Sequence, residues 1–241
     1  MPRSRHAIPL AVLAVVIGGA TATVFLAFDW IPLQASEQAE RVDRLLWFVV
    51  IACGVIFTIV LMFLLYSVWR FRAPPGDEED GPPIHGNTRL EIAWTLIPTL
   101  LLTAMAIWAY LVLTDNEALA EDRLVVNVTG EQFAWTFTYP DAGIESGDLR
   151  IPVDRQVELR MTAVDVIHDL YVPEFRVKQD VVPGVTTQLI IDPNRVGTYP
   201  VICAELCGLG HSTMRSRAVV MPQDEYQAWI TAAKRRVESA S

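Results

Sequence analysis

Two kinds of hydrophobic pattern divide the chain. Its first half contains three uncharged apolar runs of 22, 25 and 23 residues, at positions 7–28, 45–69 and 92–114. About 20 helical residues suffice to cross a hydrocarbon core roughly 30 Å thick. Each run is therefore predicted to be a membrane-spanning helix, and the last two should form an α-helical hairpin.

The segment that joins the two later runs, residues 73–90, is rich in Pro and Gly and contains the acidic run 77–80. This composition predicts an irregular exposed loop. Arg70 and Arg72 lie beside the membrane at its start, and the positive-inside rule places such a loop in the cytoplasm. Everything after residue 115 is then expected on the outer side of the membrane.

The first apolar run has two interpretations. Arg3 and Arg5 before an apolar stretch, with small residues at 20–22, are typical of a secretory signal. The length of the run instead favours an additional, uncleaved helix. Residues 1–34 are accordingly assigned to a signal or extra transmembrane helix, and residues 35–115 to the hairpin.

From residue 122 onward the pattern changes to short alternating stretches rich in Val, Thr and aromatic residues. Six strands are predicted, over residues 124–129, 132–139, 157–162, 186–191, 199–203 and 217–221. Repeated short strands separated by turn residues indicate an all-β Greek-key sandwich or barrel over residues 116–222. Apolar residues at helical spacing predict a terminal amphipathic helix over 223–237, in a tail of 223–241.

Composition and charge narrow the classes of partner. Hydrophobic residues make up 52% of the chain and charged residues 20%, which fits a membrane protein with one exported domain. The formal net charge of −9 argues against a nucleic-acid partner, because such partners require a basic surface.

The candidate chemistry lies in residues 203–214 and one upstream histidine. Cys203, Cys207, His211 and Met214 lie close together in sequence, and His168 precedes Cys203 by 35 residues. Two thiolates, two imidazoles and a thioether form a soft ligand set, which favours copper over magnesium, calcium or manganese. The third cysteine, in an apolar run, is interpreted as a small structural hydrophobe.

Three other interpretations of these residues remain open. In an oxidising compartment the two cysteines can pair as a plain disulfide, which leaves His211 and Met214 unexplained. A zinc site would use two cysteines and two histidines, but has no need of a methionine. A single blue-copper site needs only one cysteine. The surplus thiolate therefore favours a two-copper centre.

Residues 203–214, the upstream Asp165-Val166-Ile167-His168 and the segment 91–98 resemble subunit II of heme-copper cytochrome c oxidases. The resemblance covers residues 35–225 and implies a cupredoxin-like fold. It also implies an oxidoreductase subunit of the respiratory chain that accepts electrons from cytochrome c at a binuclear copper centre, CuA. The electrons would pass to heme in subunit I, where oxygen is reduced to water and protons are translocated. The resemblance further implies a multi-pass protein of the bacterial plasma membrane, with its copper domain outside, bound to subunit I and other oxidase subunits.

The resemblance implies six copper ligands: Cys203, Cys207, His168, Met214, His211 and the backbone carbonyl of Glu205. Both thiolates would bridge the two ions, one ion being completed by His168 and Met214 and the other by the remaining two ligands. The Glu205 carboxylate, turned away from copper, would bind magnesium at the interface with subunit I.

Three further residues have both a functional and a structural interpretation. The resemblance makes Glu91 the mouth of a proton-uptake route into subunit I, whereas a carboxylate at a helix N-terminus is in any case favourable by about 0.3 to 1 kcal/mol. In segment 130–139, Phe133 takes the place of the family's usual first tryptophan near the point where electrons arrive, and Trp135 follows. Packing in the core is the alternative for both aromatic residues.

Acidic residues Asp141, Glu145 and Asp148 follow the aromatic segment and are candidates for a patch that docks a basic cytochrome c.

Two rival functions remain. One is the related copper subunit of a nitric oxide reductase. The other is a copper-free structural anchor like that of quinol oxidases, which would lack the ligands found in this sequence.

Overall fold

The computed structural model describes residues 4–73, 75, 76, 81 and 83–240 of the chain. The three apolar runs form helices α1, Ser4–Leu26, α2, Glu37–Arg70, and α3, Thr88–Asn116. All three are long and apolar enough to cross a membrane. The acidic run 77–80 and the prolines at 74 and 82 lie outside the described residues.

Both helices of the hairpin begin before the apolar runs that predict them. The Ser36 hydroxyl accepts the N–H of Ala39 at 3.0 Å and caps α2. The Asn87 side chain accepts the N–H groups of Arg89 and Leu90 and caps α3. The predicted loop 73–90 is therefore wrong at its last three residues, which are helical because Asn87 supplies a cap.

The chain divides into two compact units. One comprises residues 1–31 and 44–110, and the other comprises residues 32–43 and 111–241. In the second unit, residues 32–43 pack with the β domain, and Ala35, Ser36 and Ala39 are completely buried there. The domain limits predicted at residues 34, 115 and 222 stay predictions.

The β domain contains ten strands, more than the six predicted. They are β1 Leu124–Glu131, β2 Ala134–Tyr139, β3 Ile144–Ser146, β4 Leu149–Pro152, β5 Val157–Ala163, β6 His168–Val172, β7 Val177–Val181, β8 Thr187–Ile191, β9 Gly197–Cys203 and β10 Arg215–Met221. Helix α4, Gln223–Ala240, follows them. The predicted strand 132–139 begins at Ala134 because the two residues before it form the turn from β1.

The strands form two five-stranded sheets, ordered β3-β2-β1-β5-β8 and β4-β10-β9-β6-β7. Most neighbours are antiparallel, but β1 pairs with β5 and β4 with β10 in parallel. Alternate residues of β1 and β2, such as Val126, Val128 and Phe137, point into the core between the sheets and are almost completely buried. Apolar helices followed by an all-β sandwich confirm the predicted fold class.

The sandwich has two distinct ends. At one end, which we call the ligand end because the candidate ligands His168 and Cys203 lie there, β1, β5 and β9 finish and β2, β6 and β10 begin. At the opposite end, which we call the anchor end, segment 32–43 forms backbone hydrogen bonds with Glu174 and with Asp192 and Asn194 of the loop after β8. Helix α4 packs its Trp229 ring against Tyr139 of β2, with 5.0 Å between ring centroids, and it contacts the edge strand of each sheet, β3 and β4.

Candidate metal centre

Three of the predicted ligands lie together at the ligand end. The donor atoms of His168, Cys203 and Cys207 all lie within 4.8 Å of one another, and all three residues are buried. His168 is the first residue of β6 and Cys203 the last of β9. These strands pair in the register Leu170 to Cys203, which brings the two side chains together although 35 residues separate them.

The remaining predicted ligands surround the same cluster. The Sγ atom of Cys207 lies 3.7 Å from Nδ1 of His211 and 3.8 Å from Sδ of Met214. The Cys203 thiol donates to the backbone carbonyl of Glu205 at 3.2 Å, whereas the Glu205 side chain is exposed. The loop and strand ends therefore bring together all six of the donor groups singled out in the sequence.

The spacing of the two cysteines fits a metal better than a disulfide. Their Sγ atoms are 3.8 Å apart, and both thiols are free. A disulfide requires about 2.0 Å. Metal–thiolate bonds of about 2.3 Å, the length known for zinc, allow one ion to contact both sulfurs across this gap. The imidazole and thioether groups beside them complete a soft donor set of the kind that binds copper.

Burial affects the protonation of Cys207 in the metal-free chain. It raises the pKa of Cys207 to about 11, and the adjacent Cys203 contributes in the same direction. Because metals bind the thiolate form, metal binding by Cys207 must release its proton.

A carboxylate holds His168, the first candidate histidine ligand. Asp165 Oδ1 lies 2.9 Å from Nε2 of His168, and this hydrogen bond is the main cause that lowers the pKa of Asp165 to about 2. A carboxylate only accepts hydrogen bonds, so Nε2 of His168 is the donor. In the neutral ring Nδ1 is then left unprotonated, and it faces Cys203 Sγ at 3.9 Å.

The two candidate aromatic residues occupy different positions. Trp135 is buried with its ring centroid 5.9 Å from that of His168, and its Nε1 has no hydrogen-bond partner among the described residues. Phe133 is 38% exposed and packs on the loop between the cysteines and Met214. A Cβ atom at Gly210 would come within 2.5 Å of the Phe133 ring, and Gly208 also has a positive φ of 138°. Both positions therefore require glycine.

The predicted acidic docking patch is not assembled beside the ligands. Asp141 and Glu145 lie at the far end of β2, about 17 Å along the strand from Ala134 at 3.3 Å per residue. Asp148 is held by Arg217 at 2.8 Å and by Arg150 at 3.5 Å. The exposed residues of the three loops at the ligand end include three acids, Glu131, Asp165 and Glu205, and the following apolar residues: Phe133, Val164, Val166, Ile167, Leu206 and Leu209.

Glu91 lies in the first turn of α3, in the other compact unit. Its Oε1 accepts the N–H of Asn87 at 3.2 Å, so the carboxylate closes the cap of this helix. The structure therefore shows Glu91 as part of the helix cap, and its role in proton uptake stays a prediction.

Sequence reasoning assigns no role to two polar residues beside the ligands. Asp165 belongs to the motif before His168 but has no predicted role of its own. Gln132 donates from Nε2 to the carbonyl of Cys207 at 2.5 Å. A carboxylate three residues before a candidate ligand histidine is a usable signal, because such histidines commonly donate their second ring N–H to a carboxylate. Nothing in the sequence singles out Gln132.

Comparisons with known proteins agree with this geometry. Residues 27–112 match the family described as cytochrome C oxidase subunit II, transmembrane domain, and residues 145–221 match its periplasmic domain. Cytochrome c oxidase subunit 2 of Synechocystis sp. is 34% identical over 93% of this chain and 83% of its own length. That of Thermostichus vulcanus is 35% identical over 83% and 77%, respectively.

Among solved structures, the periplasmic domain of subunit II of cytochrome oxidase from Bradyrhizobium japonicum is 26% identical, with a TM-score of 0.47. It covers 49% of this chain and 99% of its own. The family matches and the curated relatives confirm the resemblance found in residues 35–225. The chain therefore belongs to the cytochrome c oxidase subunit II family.

Proposed function

We propose that this chain accepts electrons one at a time from a cytochrome c and passes them to the catalytic subunit of a terminal oxidase. The observation that supports this function best is the buried cluster of His168, Cys203 and Cys207, with donor atoms within 4.8 Å, in a chain of this family. Its relatives are named as subunits of cytochrome c oxidase. The proposal therefore takes cytochrome c as the electron donor and an oxygen-reducing subunit as the acceptor.

We assign the ligands as the family resemblance implies, and the distances are compatible with that assignment. Cys203 and Cys207 would bridge two coppers. The first ion would add His168 and Met214, and the second would add His211 and the carbonyl of Glu205. When bound, such a copper pair would share one unpaired electron over both ions, which would keep the change in each bond small when an electron is gained or lost. The buried β6 and β9 ends hold His168 and Cys203 in place and exclude water from them.

Copper loading of the full chain in detergent tests this function. We expect two coppers per chain and a mixed-valence electron paramagnetic resonance signal delocalised over both ions. Elemental analysis that finds one copper, or zinc retained after copper loading, would contradict the proposal.

The donor should dock at the ligand end through apolar contacts. Phe133 and Leu209 are exposed there, on the loops that hold the ligands, while Asp141 and Glu145 lie at the far end of β2. Because the acids Glu131, Asp165 and Glu205 are also exposed at this end, the second-order rate of copper reduction by a basic donor should fall as ionic strength rises. The double substitution of Asp141 and Glu145 by their amides should leave the rate unchanged. A stopped-flow rate that falls after this double substitution would contradict docking at the ligand end.

Glu91 is proposed as a proton-uptake group, by resemblance. In the assembled oxidase, Glu91→Gln should slow turnover and leave reduction of the copper centre by cytochrome c unchanged. Asn87→Ala, which removes the cap without removing the carboxylate, is the matched control. An equal loss of turnover in both variants would show that Glu91 acts only through the helix cap.

The remaining assignments also follow the family. We place the chain in the bacterial plasma membrane as a multi-pass protein, with the copper domain on the outer side and subunit I and other oxidase subunits as partners. The Glu205 carboxylate is exposed and makes no hydrogen bond within the described residues, so it is free to bind magnesium at the subunit I interface.

A further inference from the structure

The hydrogen bonds around the candidate ligands converge on one carboxylate. Asp165 accepts the Nε2–H of His168 at 2.9 Å and the backbone N–H of Val166 at 2.7 Å on Oδ1. Its other oxygen, Oδ2, accepts the backbone N–H of Gln132 at 2.8 Å. The carboxylate therefore fixes both the orientation of the His168 ring and its tautomer, with Nδ1 as the ligand atom.

The second half of the network starts at Gln132. While its backbone N–H binds Asp165, its side-chain Nε2–H donates to the carbonyl of Cys207 at 2.5 Å. The next residue, Phe133, packs on the backbone of Gly208 and Gly210, in the same loop. A continuous chain of hydrogen bonds thus runs from His168 on β6, through Asp165 and Gln132, to Cys207 on the ligand loop.

We infer that Asp165 and Gln132 form a brace that fixes His168 and Cys207 relative to each other, and that both are positioning residues of the copper centre. The inference rests on the proposed function. Neither residue is a ligand: their role is to hold two ligands from separate elements within the roughly 0.5 Å that a functional site requires. Loss of such partners of metal ligands typically costs 10- to 100-fold in metal affinity or activity.

A purely structural role is the rival interpretation, in which these bonds only stabilise the loops at the ligand end. The two roles differ in what they change. A brace alters the metal centre itself, namely its affinity, its spectrum and its reduction potential. A structural role alters only the unfolding of the metal-free chain.

The test uses the full chain in detergent, loaded with copper, in wild-type form and as Asp165→Ala, Gln132→Ala and the double variant. Glu131→Gln is the matched control, because Glu131 is an exposed acid next to Gln132 on β1 and its substitution removes one negative charge. The readouts are copper affinity by chelator competition, the paramagnetic resonance spectrum, the reduction potential and thermal unfolding without metal.

Each single alanine variant should bind copper 10- to 100-fold more weakly than the control. Asp165→Ala should also raise the reduction potential, because the lost negative charge stabilised the oxidised centre. Asp165→Asn retains an acceptor for His168 Nε2 and should recover the wild-type spectrum while the potential stays raised. Because both residues act through one chain of bonds, the double variant should lose less than the product of the two single losses.

Two failures are distinguishable. If the wild-type chain does not bind two coppers, the proposed function is wrong, and the inference about the brace, which depends on it, is wrong as well. If the wild type binds two coppers but both alanine variants match Glu131→Gln in affinity, spectrum and potential, the function stands and the brace is refuted. A change in thermal unfolding alone would refute the brace in the same way.

Discussion

The two ends of the β domain differ in the partners of some of their buried side chains. At the anchor end, Arg176 donates to both oxygens of Asp43 at 2.9 and 3.1 Å, and the hydroxyl of Tyr139 bonds both the N–H and the carbonyl of Arg150. At the ligand end, the donor atoms of two thiols, a thioether and two imidazoles lie 3.7 to 3.9 Å from a neighbouring donor atom, and Trp135 Nε1 is unpaired among the described residues.

This difference separates stability from function within one domain. Removing one member of a buried ion pair at the anchor end should destabilise the folded chain, because the remaining charged group would lose its partner. Donor atoms at the ligand end gain little from one another and are available to a metal. Substitutions at the two ends should therefore affect different measurements.

The largest effect is expected from Cys207→Ser at the ligand end. Loss of one thiolate should abolish the signal delocalised over two coppers and reduce copper below two per chain, because serine is a poor ligand for this metal. Thermal unfolding of the metal-free chain should change little. Cys53→Ser, at a free cysteine in the other compact unit, is the matched control and should leave the signal unchanged.

A Cys207→Ser chain that kept two coppers and the delocalised signal would contradict the bridging role of this residue. A large loss of stability without metal would show instead that the ligand end also stabilises the fold, and the separation of the two ends would be wrong.

The next largest effect is expected from Arg176→Ala at the anchor end. The side chains of Arg176 and Asp43 are only 8% and 6% exposed, so the substitution leaves a buried carboxylate without its cation. Breaking a buried pair in this way costs about 3 to 5 kcal/mol. Hydrogen exchange of the β strands in the metal-free chain should show this loss, while the copper spectrum of the folded fraction stays the same.

Arg195→Ala is the control for that variant, because Arg195 is exposed in the loop between β8 and β9. It should change stability by no more than about 0.5 kcal/mol. If Arg176→Ala altered the copper spectrum as strongly as Gln132→Ala, the two ends would be coupled through the sandwich.

The two ends also differ in how far the sequence predicts them. The ligand set could be predicted because thiol, imidazole and thioether groups are rare and their spacing in 203–214 is distinctive. Gln132 could not, because an amide in a turn has no special signature and its contact with Cys207 depends on the pairing of β1 with β2. Likewise, the partner of Asp43 lies 133 residues away.

The strands that the hydrophobic pattern does not predict have a common physical cause. In β6 and β7, polar residues such as Asp169 and Lys178 interrupt the apolar alternation. Asp169 is nevertheless buried, because its carboxylate pairs with the Lys178 ammonium at 3.4 Å. The strands β3 and β4 are only three and four residues long, too short for alternation to be visible. Pairing with neighbours, which depends on tertiary contacts, determines these four strands.

The smallest effect is expected from Glu158→Gln, which tests the anchor end through pH. Glu158 accepts hydrogen bonds from Arg160 at 2.6 Å and Arg123 at 2.5 Å, and these cations, Arg160 first, lower its pKa. Since the folded chain holds Glu158 ionised more strongly than the unfolded chain does, its stabilising contribution is complete above the ordinary glutamate pKa of about 4.3. That contribution disappears as the pH falls through the lowered value.

The wild-type chain should therefore be more stable than Glu158→Gln at neutral pH, and the difference between them should shrink below about pH 4. Hydrogen exchange of β5 and β8 in the metal-free chain, measured across this range, follows the difference directly. Glu121→Gln, at an exposed acid, should show no such convergence. A gap that stayed constant down to acid pH would mean that Glu158 contributes through packing under Arg160, and that the polar pairs of the anchor end stabilise the fold without help from their charge.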